Sequence, residues 1–200
     1  ELCPGPDECV AVGAPRRHSK ATTVTVSYTM AAVLFRQAKF VIIVSDTVAQ
    51  SVLFLGQIKQ ILEASKQIQS LFGLPVDERG LDYEKCTEDD IIVKFNDGHK
   101  FRIKAKGAEQ KLRGLLFEGA RPDLIICDDI LNEELVANKD RREKLRRWFY
   151  GSLVPCRSKD GRLILVGTPM NLDDILESLM PSERAKTTHV EDLKIWSEKK

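Results

Sequence analysis

The chain has 200 residues, of which 42% are hydrophobic and 30% are charged, and its formal net charge is +1. This composition is typical of a globular chain with its own core and excludes a disordered one. The near-neutral charge excludes global attraction to nucleic acid, so any such contact requires a local cationic patch. Five scattered cysteines without Cys-x-x-Cys spacing argue against a disulfide scaffold or zinc site and favour a reducing compartment. We find no apolar run of bilayer length and no signal-peptide pattern, and therefore expect no membrane attachment.

The first part of the chain predicts two strands, each followed by a helix. The predicted strands are 9–12 and 40–44, and the predicted helices are 20–36 and 46–72. The β-branched run at 40–44 is typical of a strand covered on both faces. Thr47 and Gln50 fit a capping box at the start of the second helix, and Gly73 is expected to end it.

The second part predicts a hairpin and two further buried strands. After a polar stretch at 75–90, the runs 91–95 and 100–104 flank Asp97-Gly98, a strong hairpin signal. The remaining predicted elements are strands at 123–127 and 162–166 and helices at 132–150 and 173–180. Strands that alternate with helices predict a three-layer α/β fold with a mostly parallel sheet, into which the hairpin is inserted.

Residues 10–22 have the pattern of a strand, a phosphate-binding turn and the start of a helix. In such a turn, backbone N–H groups and the helix N-terminus bind an anion, while a lysine reaches the terminal phosphates. Lys20 is the candidate for that lysine. The predicted nucleotide-binding residues are Gly13, Ala14, Pro15, Arg16, Arg17, His18, Ser19, Lys20, Ala21 and Thr22.

The match of this segment to Gly-x-x-x-x-Gly-Lys-[Ser/Thr] is imperfect. Ala14 and Ser19 stand at the glycine positions, and Ala21 stands where a metal-binding hydroxyl is expected. Thr22 offers a hydroxyl one residue later, about 100° further round a helix. Gly13 serves as the first glycine only if the loop is one residue longer. Taken alone, the segment fits a plain turn before a helix about equally well.

Asp128 and Asp129 end the apolar run that starts at Leu124. The carboxyl edge of a parallel sheet is where ligands bind, so Asp128 is the candidate Mg²⁺ ligand and Asp129 the candidate that orients the attacking water. The alternative is that both residues cap the following helix. An acid pair and a phosphate loop together predict hydrolysis of ATP with Mg²⁺.

A third element of the predicted site is the buried run 163–167, which ends at Thr168. A strand in this position can present the Thr168 hydroxyl to the same crevice as a sensor of the terminal phosphate. Without the other two elements, the run is equally well explained as a strand that ends in a turn.

Four stretches follow one another along the second half of the chain: Arg113-Gly114, the run from Gly119 to Asp129, the run from Arg141 to Tyr150, and the run from Gly167 to Asp174. In this order they resemble the large terminase subunit, the ATPase motor that packages DNA into tailed-phage capsids. The resemblance extends from the phosphate loop to about residue 180. It implies a P-loop NTPase fold of the class with an additional strand and a catalytic acid. The family tolerates a degenerate phosphate loop of the Pro-Arg-x-x-x-Lys kind.

The resemblance also implies roles for single residues. Arg16 would contact the terminal phosphate of the same subunit, and Arg113 would enter a neighbouring subunit's site to neutralise charge on the transferred phosphoryl group. Thr168 would belong to the motif that couples hydrolysis to movement. Residues 1–180 would form the motor domain, and 181–200 a tail or the start of a linker to a nuclease domain. The implied partners are double-stranded DNA, the capsid portal, the small terminase subunit and further copies of the chain in a ring, in the cytoplasm of the infected bacterial host.

The predicted DNA surface is a cationic row on one face of the hairpin. Alternation predicts that its members point away from the apolar face. The candidate DNA-binding residues are Lys94, Arg102, Lys104 and Lys106. Such a row can follow a phosphate backbone without reading sequence, and it can equally be a solvated strand face.

Two other functions fit the same residues. A helicase-type ATPase uses a similar loop and acid pair but normally needs a second motor domain. A nucleotide-binding assembly module without turnover would explain Ala21.

Overall fold

A computed structural model describes residues 9–13, 19–130, 138–168 and 175. Within them, a seven-stranded sheet has the order β1-β9-β8-β2-β7-β6-β5. Its strands are β1 (Cys9–Gly13), β2 (Phe40–Ser45), β5 (Tyr83–Cys86), β6 (Asp90–Lys94), β7 (Lys100–Gly107), β8 (Leu124–Asp128) and β9 (Arg162–Gly167). The first five strands in spatial order run parallel, and β6 and β5 continue the sheet antiparallel. The mostly parallel sheet is confirmed.

Helices cover both faces of this sheet. They are the π-helical segment Ala21–Tyr28, α1 (Thr29–Leu34), α2 (Val48–Ala64), α3 (Lys66–Phe72), α4 (Lys139–Trp148), the π-helical turn Phe149–Leu153 and the short 3₁₀ turn Val154–Cys156. Val41 and Ile43 of β2 pack into one core with Leu55 of α2, while Ile42 packs into a second core with Phe149. Because alternate residues of a strand point to opposite faces, the continuous apolar run of β2 is buried on both sides. The three-layer prediction is therefore confirmed.

The helix predicted at 46–72 is two helices. Thr47 caps α2 by accepting a hydrogen bond from the Gln50 amide at 3.3 Å, as the capping box predicts. Ser65 then leaves the helical conformation and caps α3 by accepting from the Ile68 amide at 3.3 Å. Gly73 ends α3 with φ of 64°, which glycine adopts without strain. A serine that bonds the following backbone breaks the long helix because it offers an alternative to helical hydrogen bonds.

The predicted hairpin forms between β6 and β7, but it is a continuous part of the sheet. β7 pairs with β2 in parallel, from Phe40 opposite Arg102 to Ser45 opposite Gly107. The stretch predicted as a polar excursion supplies edge strand β5 and a small separate pair, β3 (Val76–Asp77) and β4 (Gly80–Leu81). The chain thus extends its sheet with the hairpin, because β7 carries a buried apolar residue at every second position.

Some predicted elements lie wholly or partly outside the described residues. The predicted helix 132–150 is described only from 138, and it becomes α4 followed by the π-helical turn. Of the predicted helix 173–180 only Ile175 is described, and it is buried. The predicted tail 181–200 lies outside the described residues. Among the helices that are described, none combines the length and apolarity needed to cross a membrane.

Candidate active site

The carboxyl ends of the parallel strands bring the predicted site residues to one edge of the sheet. Gly13, the last residue of β1, is aligned with Gly167 of β9, and Asp128 of β8 is aligned with Val166. On the other side of β8, Ser45 of β2 is aligned with Asp128. Since ligands of open α/β sheets bind outside the carboxyl ends of the strands, this edge is the candidate site.

Lys20, Asp129 and Thr168 meet at this edge from three distant parts of the chain. The Lys20 Nζ donates hydrogen bonds to Asp129 Oδ1 at 3.0 Å and to Thr168 Oγ1 at 2.5 Å. The Lys20 side chain is 10% exposed, whereas the Asp129 side chain is 50% exposed. A cation and an acid predicted for the same reaction are thus in direct contact, with the acid open to solvent.

Asp128 lies beside this cluster and is almost completely buried, with 1% exposure. Its Oδ2 accepts a hydrogen bond from the Thr25 hydroxyl at 2.8 Å, while its Oδ1 has no hydrogen-bond partner. Burial and, to a smaller extent, the Asp129 carboxylate raise the pKa of Asp128 to about 6, against the opposing effects of the Thr25 hydrogen bond and the Lys20 ammonium group. A buried oxygen without a partner is unfavourable, and a carboxylate oxygen is a ligand that Mg²⁺ prefers. Asp128 therefore fits a divalent cation.

The backbone is strained on both sides of this cluster. Ser19 has φ of 52° and Asp129 has φ of 45°, in the left-handed region that non-glycine residues rarely adopt. The Asp129 amide donates a hydrogen bond to the Val166 carbonyl at 2.9 Å. Such conformations cost about 1–3 kcal/mol each and cluster at functional sites, where the surroundings impose them.

The hydroxyl nearest Asp128 belongs to Thr25, which the sequence analysis did not single out. Thr22, the predicted source, is exposed, and Ala21 has no hydroxyl. Thr25 is fully buried and lies five residues after Lys20. On the α-helix that the sequence predicts, Lys20 and Thr25 are about 140° apart, at about 100° per residue. The π-helix from Ala21 to Tyr28 changes this spacing, and no pattern in the sequence indicated it.

The remaining predicted nucleotide-binding residues are only partly described. Gly13 closes β1, and Ser19 is exposed just before Lys20. Ala14, Pro15, Arg16, Arg17 and His18 lie outside the described residues.

Arg113 is exposed and is not part of the cluster around Lys20. Its Nη2 donates to the Gly151 carbonyl at 2.6 Å, in the π-helical turn after α4. An arginine that acts in a neighbouring subunit has to be presented on the surface, so this placement is compatible with the predicted role, which stays a prediction.

The predicted cationic row is largely engaged with carboxylates. Arg102 forms two hydrogen bonds with the buried Asp90, at 2.8 and 2.7 Å, and Lys104 contacts Asp89 and Asp90 at 3.1 Å. Lys94 is exposed and Lys106 is half-buried. Because two of the four cations are neutralised by Asp90 and its neighbour, the row does not carry the charge that its sequence indicates, and DNA contact at this face stays a prediction.

The part of the chain that the structure describes contains no cluster of three or more histidine, cysteine or acidic residues that could hold a metal by itself. Mg²⁺ in nucleotide sites usually takes several of its oxygen ligands from the substrate and from water, and one protein carboxylate such as Asp128 is compatible with that pattern.

No protein-family model matches the chain, and neither does any curated protein sequence. Among solved structures, it is similar to the large terminase ATPase domain of Thermus phage P74-26. A point variant of that domain aligns at 16% identity with a TM-score of 0.59, over 86% of this chain and 63% of that one. A second structure of the domain aligns at 16% identity with a TM-score of 0.53, over 82% of this chain and 61% of that one. The chain thus spans less than two thirds of these structures, and it shares with them an α/β fold with a mostly parallel central sheet.

Proposed function

We propose that the chain is a Mg²⁺-dependent ATPase whose hydrolysis drives double-stranded DNA into a viral procapsid. The observation that carries the proposal is the contact of Lys20 with Asp129 and Thr168 beside the buried, half-partnered Asp128. The fold adds support, because large terminase ATPase domains share it.

Each residue of the cluster has a distinct task in this proposal. Lys20 binds the terminal phosphates, which compete with Asp129 for its ammonium group. Asp128 would hold Mg²⁺, and the cation would supply positive charge against the phosphate oxygens. Asp129 orients and polarises the attacking water, and Thr168 responds to the terminal phosphate through its contact with Lys20. The loop from Gly13 to Thr22 supplies the backbone N–H groups that surround the phosphates.

The larger assembly is also part of the proposal. Residues 1–180 form the motor, and 181–200 a tail or the start of a linker to a nuclease domain. Copies of the chain form a ring in which Arg113 acts on the neighbouring site. The ring contacts double-stranded DNA, the portal and the small terminase subunit in the cytoplasm of the infected bacterium.

Substitution of Asp129 by Asn tests the chemical part of the proposal. We expect phosphate release to fall at least about 100-fold, because a water-orienting acid typically contributes a factor of about 10²–10⁴. The affinity for a fluorescent ATP analogue is expected to stay or rise, because Lys20 loses its competing carboxylate. Asp160→Asn, at an exposed aspartate in the turn before β9, is the control.

Retained turnover in Asp129→Asn would contradict the role of Asp129, and loss of nucleotide binding would contradict the competition for Lys20. Translocation is tested separately, with procapsids, linear duplex DNA and the full-length protein. ATP-dependent protection of the DNA from nuclease supports packaging, whereas strand displacement without protection supports a helicase.

A further inference from the structure

We propose that Thr25 is a positioning residue for the metal ligand Asp128. Its hydroxyl fixes one carboxylate oxygen and leaves the other available to a divalent cation. This inference rests on the proposed function and extends it to a residue that neither the sequence motif nor the comparisons indicate.

The contact itself is short and inaccessible to water. The Thr25 hydroxyl donates to Asp128 Oδ2 at 2.8 Å, and the two residues are 0% and 1% exposed. A threonine hydroxyl can donate one hydrogen bond, and here it donates that bond to the carboxylate. Because both side chains are buried, this hydrogen bond restricts the orientation of the carboxylate.

The other anchored carboxylates of the sheet show what a structural acid looks like in this chain. Asp123, at the opposite edge, accepts from the backbone amides of Lys39 and Phe40, one with each oxygen, at 2.7 and 3.0 Å. Both oxygens of Asp90 are hydrogen-bonded as well. Asp128 differs because Thr25 satisfies only Oδ2, while the equally buried Oδ1 has no partner. Since buried acceptors are nearly always paired, this oxygen indicates a ligand site.

The π-helix explains how a residue so far along the chain can take this position. In a π-helix, backbone hydrogen bonds join residues five apart, so these residues lie close to one face. Lys20 immediately precedes the segment Ala21–Tyr28, and Thr25 follows Lys20 by five residues. Their side chains contact adjacent residues, Asp129 and Asp128. The wider turn therefore brings the amine and the hydroxyl to the same strand end.

The experiment compares two buried threonines of the same helical stretch. Thr29 is also fully buried, but its hydroxyl has no hydrogen-bond partner. Thr25→Val and Thr29→Val therefore remove the same group, at a site that contacts Asp128 and at one that does not. Thr25→Ser keeps the hydroxyl. Thr25→Ala removes the hydroxyl and makes the side chain smaller, so a loss seen in both Thr25→Ala and Thr25→Val cannot come from a steric clash of the valine.

The readout is the affinity of the protein–ATP-analogue complex for Mn²⁺, measured by electron paramagnetic resonance. We expect Thr25→Val and Thr25→Ala to weaken Mn²⁺ binding about 10-fold or more, the range found when a residue that orients a metal ligand is lost. Analogue binding in EDTA should not change. Thr25→Ser and Thr29→Val should keep the wild-type Mn²⁺ affinity to within about threefold, whatever their thermal stability.

Two results would overturn the inference. The first is a wild-type Mn²⁺ affinity in both Thr25→Val and Thr25→Ala. The second is a loss of Mn²⁺ affinity in Thr29→Val as large as that in Thr25→Val, which would show that the effect comes from packing. A wild-type protein that binds no ATP analogue in either Mn²⁺ or EDTA would instead contradict the proposed function. The two failures are therefore distinguishable.

Discussion

Asp90 is a fully buried carboxylate that holds the antiparallel side of the sheet together. It accepts hydrogen bonds from Arg102 with both oxygens and from Lys85 and Lys104 with Oδ2. Burial alone would raise the pKa of Asp90, but these hydrogen bonds outweigh burial and hold the pKa well below its usual range. The ionised form is therefore strongly favoured in the folded protein.

Asp90→Asn should lower the free energy of unfolding by about 3 kcal/mol at pH 7, because it leaves the half-buried Arg102 and Lys104 without their buried partner. The pKa of Asp90 is lower in the folded than in the unfolded chain, where it is about 3.9. Its stabilising contribution is thus present above about pH 4 and is lost as the pH falls towards the folded-state pKa. The difference between the variant and the wild type should shrink from pH 7 to pH 3 in urea unfolding experiments.

The control is Asp97→Asn, at an exposed aspartate that pairs with Arg36 on the surface. This variant should change stability little at either pH, because exposed ion pairs contribute little. A destabilisation by Asp90→Asn that is the same at pH 3 and pH 7 would show that packing, and not charge, accounts for the effect.

Single residues of the candidate site could be predicted where they end a strand. Asp128, Asp129 and Thr168 follow apolar runs, and Lys20 begins a helix, so a parallel sheet brings them together. Thr25 and the ion pairs of Arg102 could not be predicted. The position of Thr25 beside Asp128 depends on a local change from α-helix to π-helix. The ion pairs of Arg102 depend on which strands are neighbours in the sheet.

At the scale of elements, the loop after β7 is braced by α4 and the turns that follow it. Trp148 Nε1 donates to the Gln110 carbonyl at 3.0 Å, and the Cys156 thiol contacts the Leu112 carbonyl at 3.4 Å. Lys144 pairs with Glu109. The segment that carries Arg113 is thus tied to α4 at several points.

Five strands were predictable to within one residue because their apolar runs are continuous or alternate. β7 continues three residues beyond its predicted end at Lys104, and edge strand β5 was not predicted. The helix boundaries were less predictable. The break at Ser65 depends on a side chain that accepts a hydrogen bond from the backbone amide of Ile68, and the apolar pattern continues across it. The parallel pairing of β7 with β2 was also missed, because the turn of a hairpin defines only its own two strands.

At the scale of the whole molecule, Arg113 lies on the surface and contacts none of the residues around Lys20. If it completes the site of a neighbouring copy, Arg113→Ala should abolish the rise of specific ATPase activity with protein concentration. The loss at high concentration is expected to be about 10³-fold or more, the usual contribution of an arginine that neutralises charge on the transferred phosphoryl group. Phosphate release measured over a dilution series tests this.

Arg121 provides a matched control for Arg113. It is also an exposed arginine, and its Nη1 donates to the Pro155 carbonyl at 3.0 Å, close to the turn that Arg113 contacts. Arg121→Ala should keep the dependence on concentration. An Arg113→Ala protein with wild-type activity at every concentration would argue against action between subunits.

The most direct test of the account is a structure of the chain with Mg²⁺ and a slowly hydrolysed ATP analogue. We predict that the terminal phosphate replaces Asp129 as the partner of Lys20, with the cation bound through Asp128 Oδ1 while Thr25 keeps its hydrogen bond to Oδ2. A nucleotide bound elsewhere, with Lys20 still paired to Asp129 and Asp128 Oδ1 still without a ligand, would contradict it.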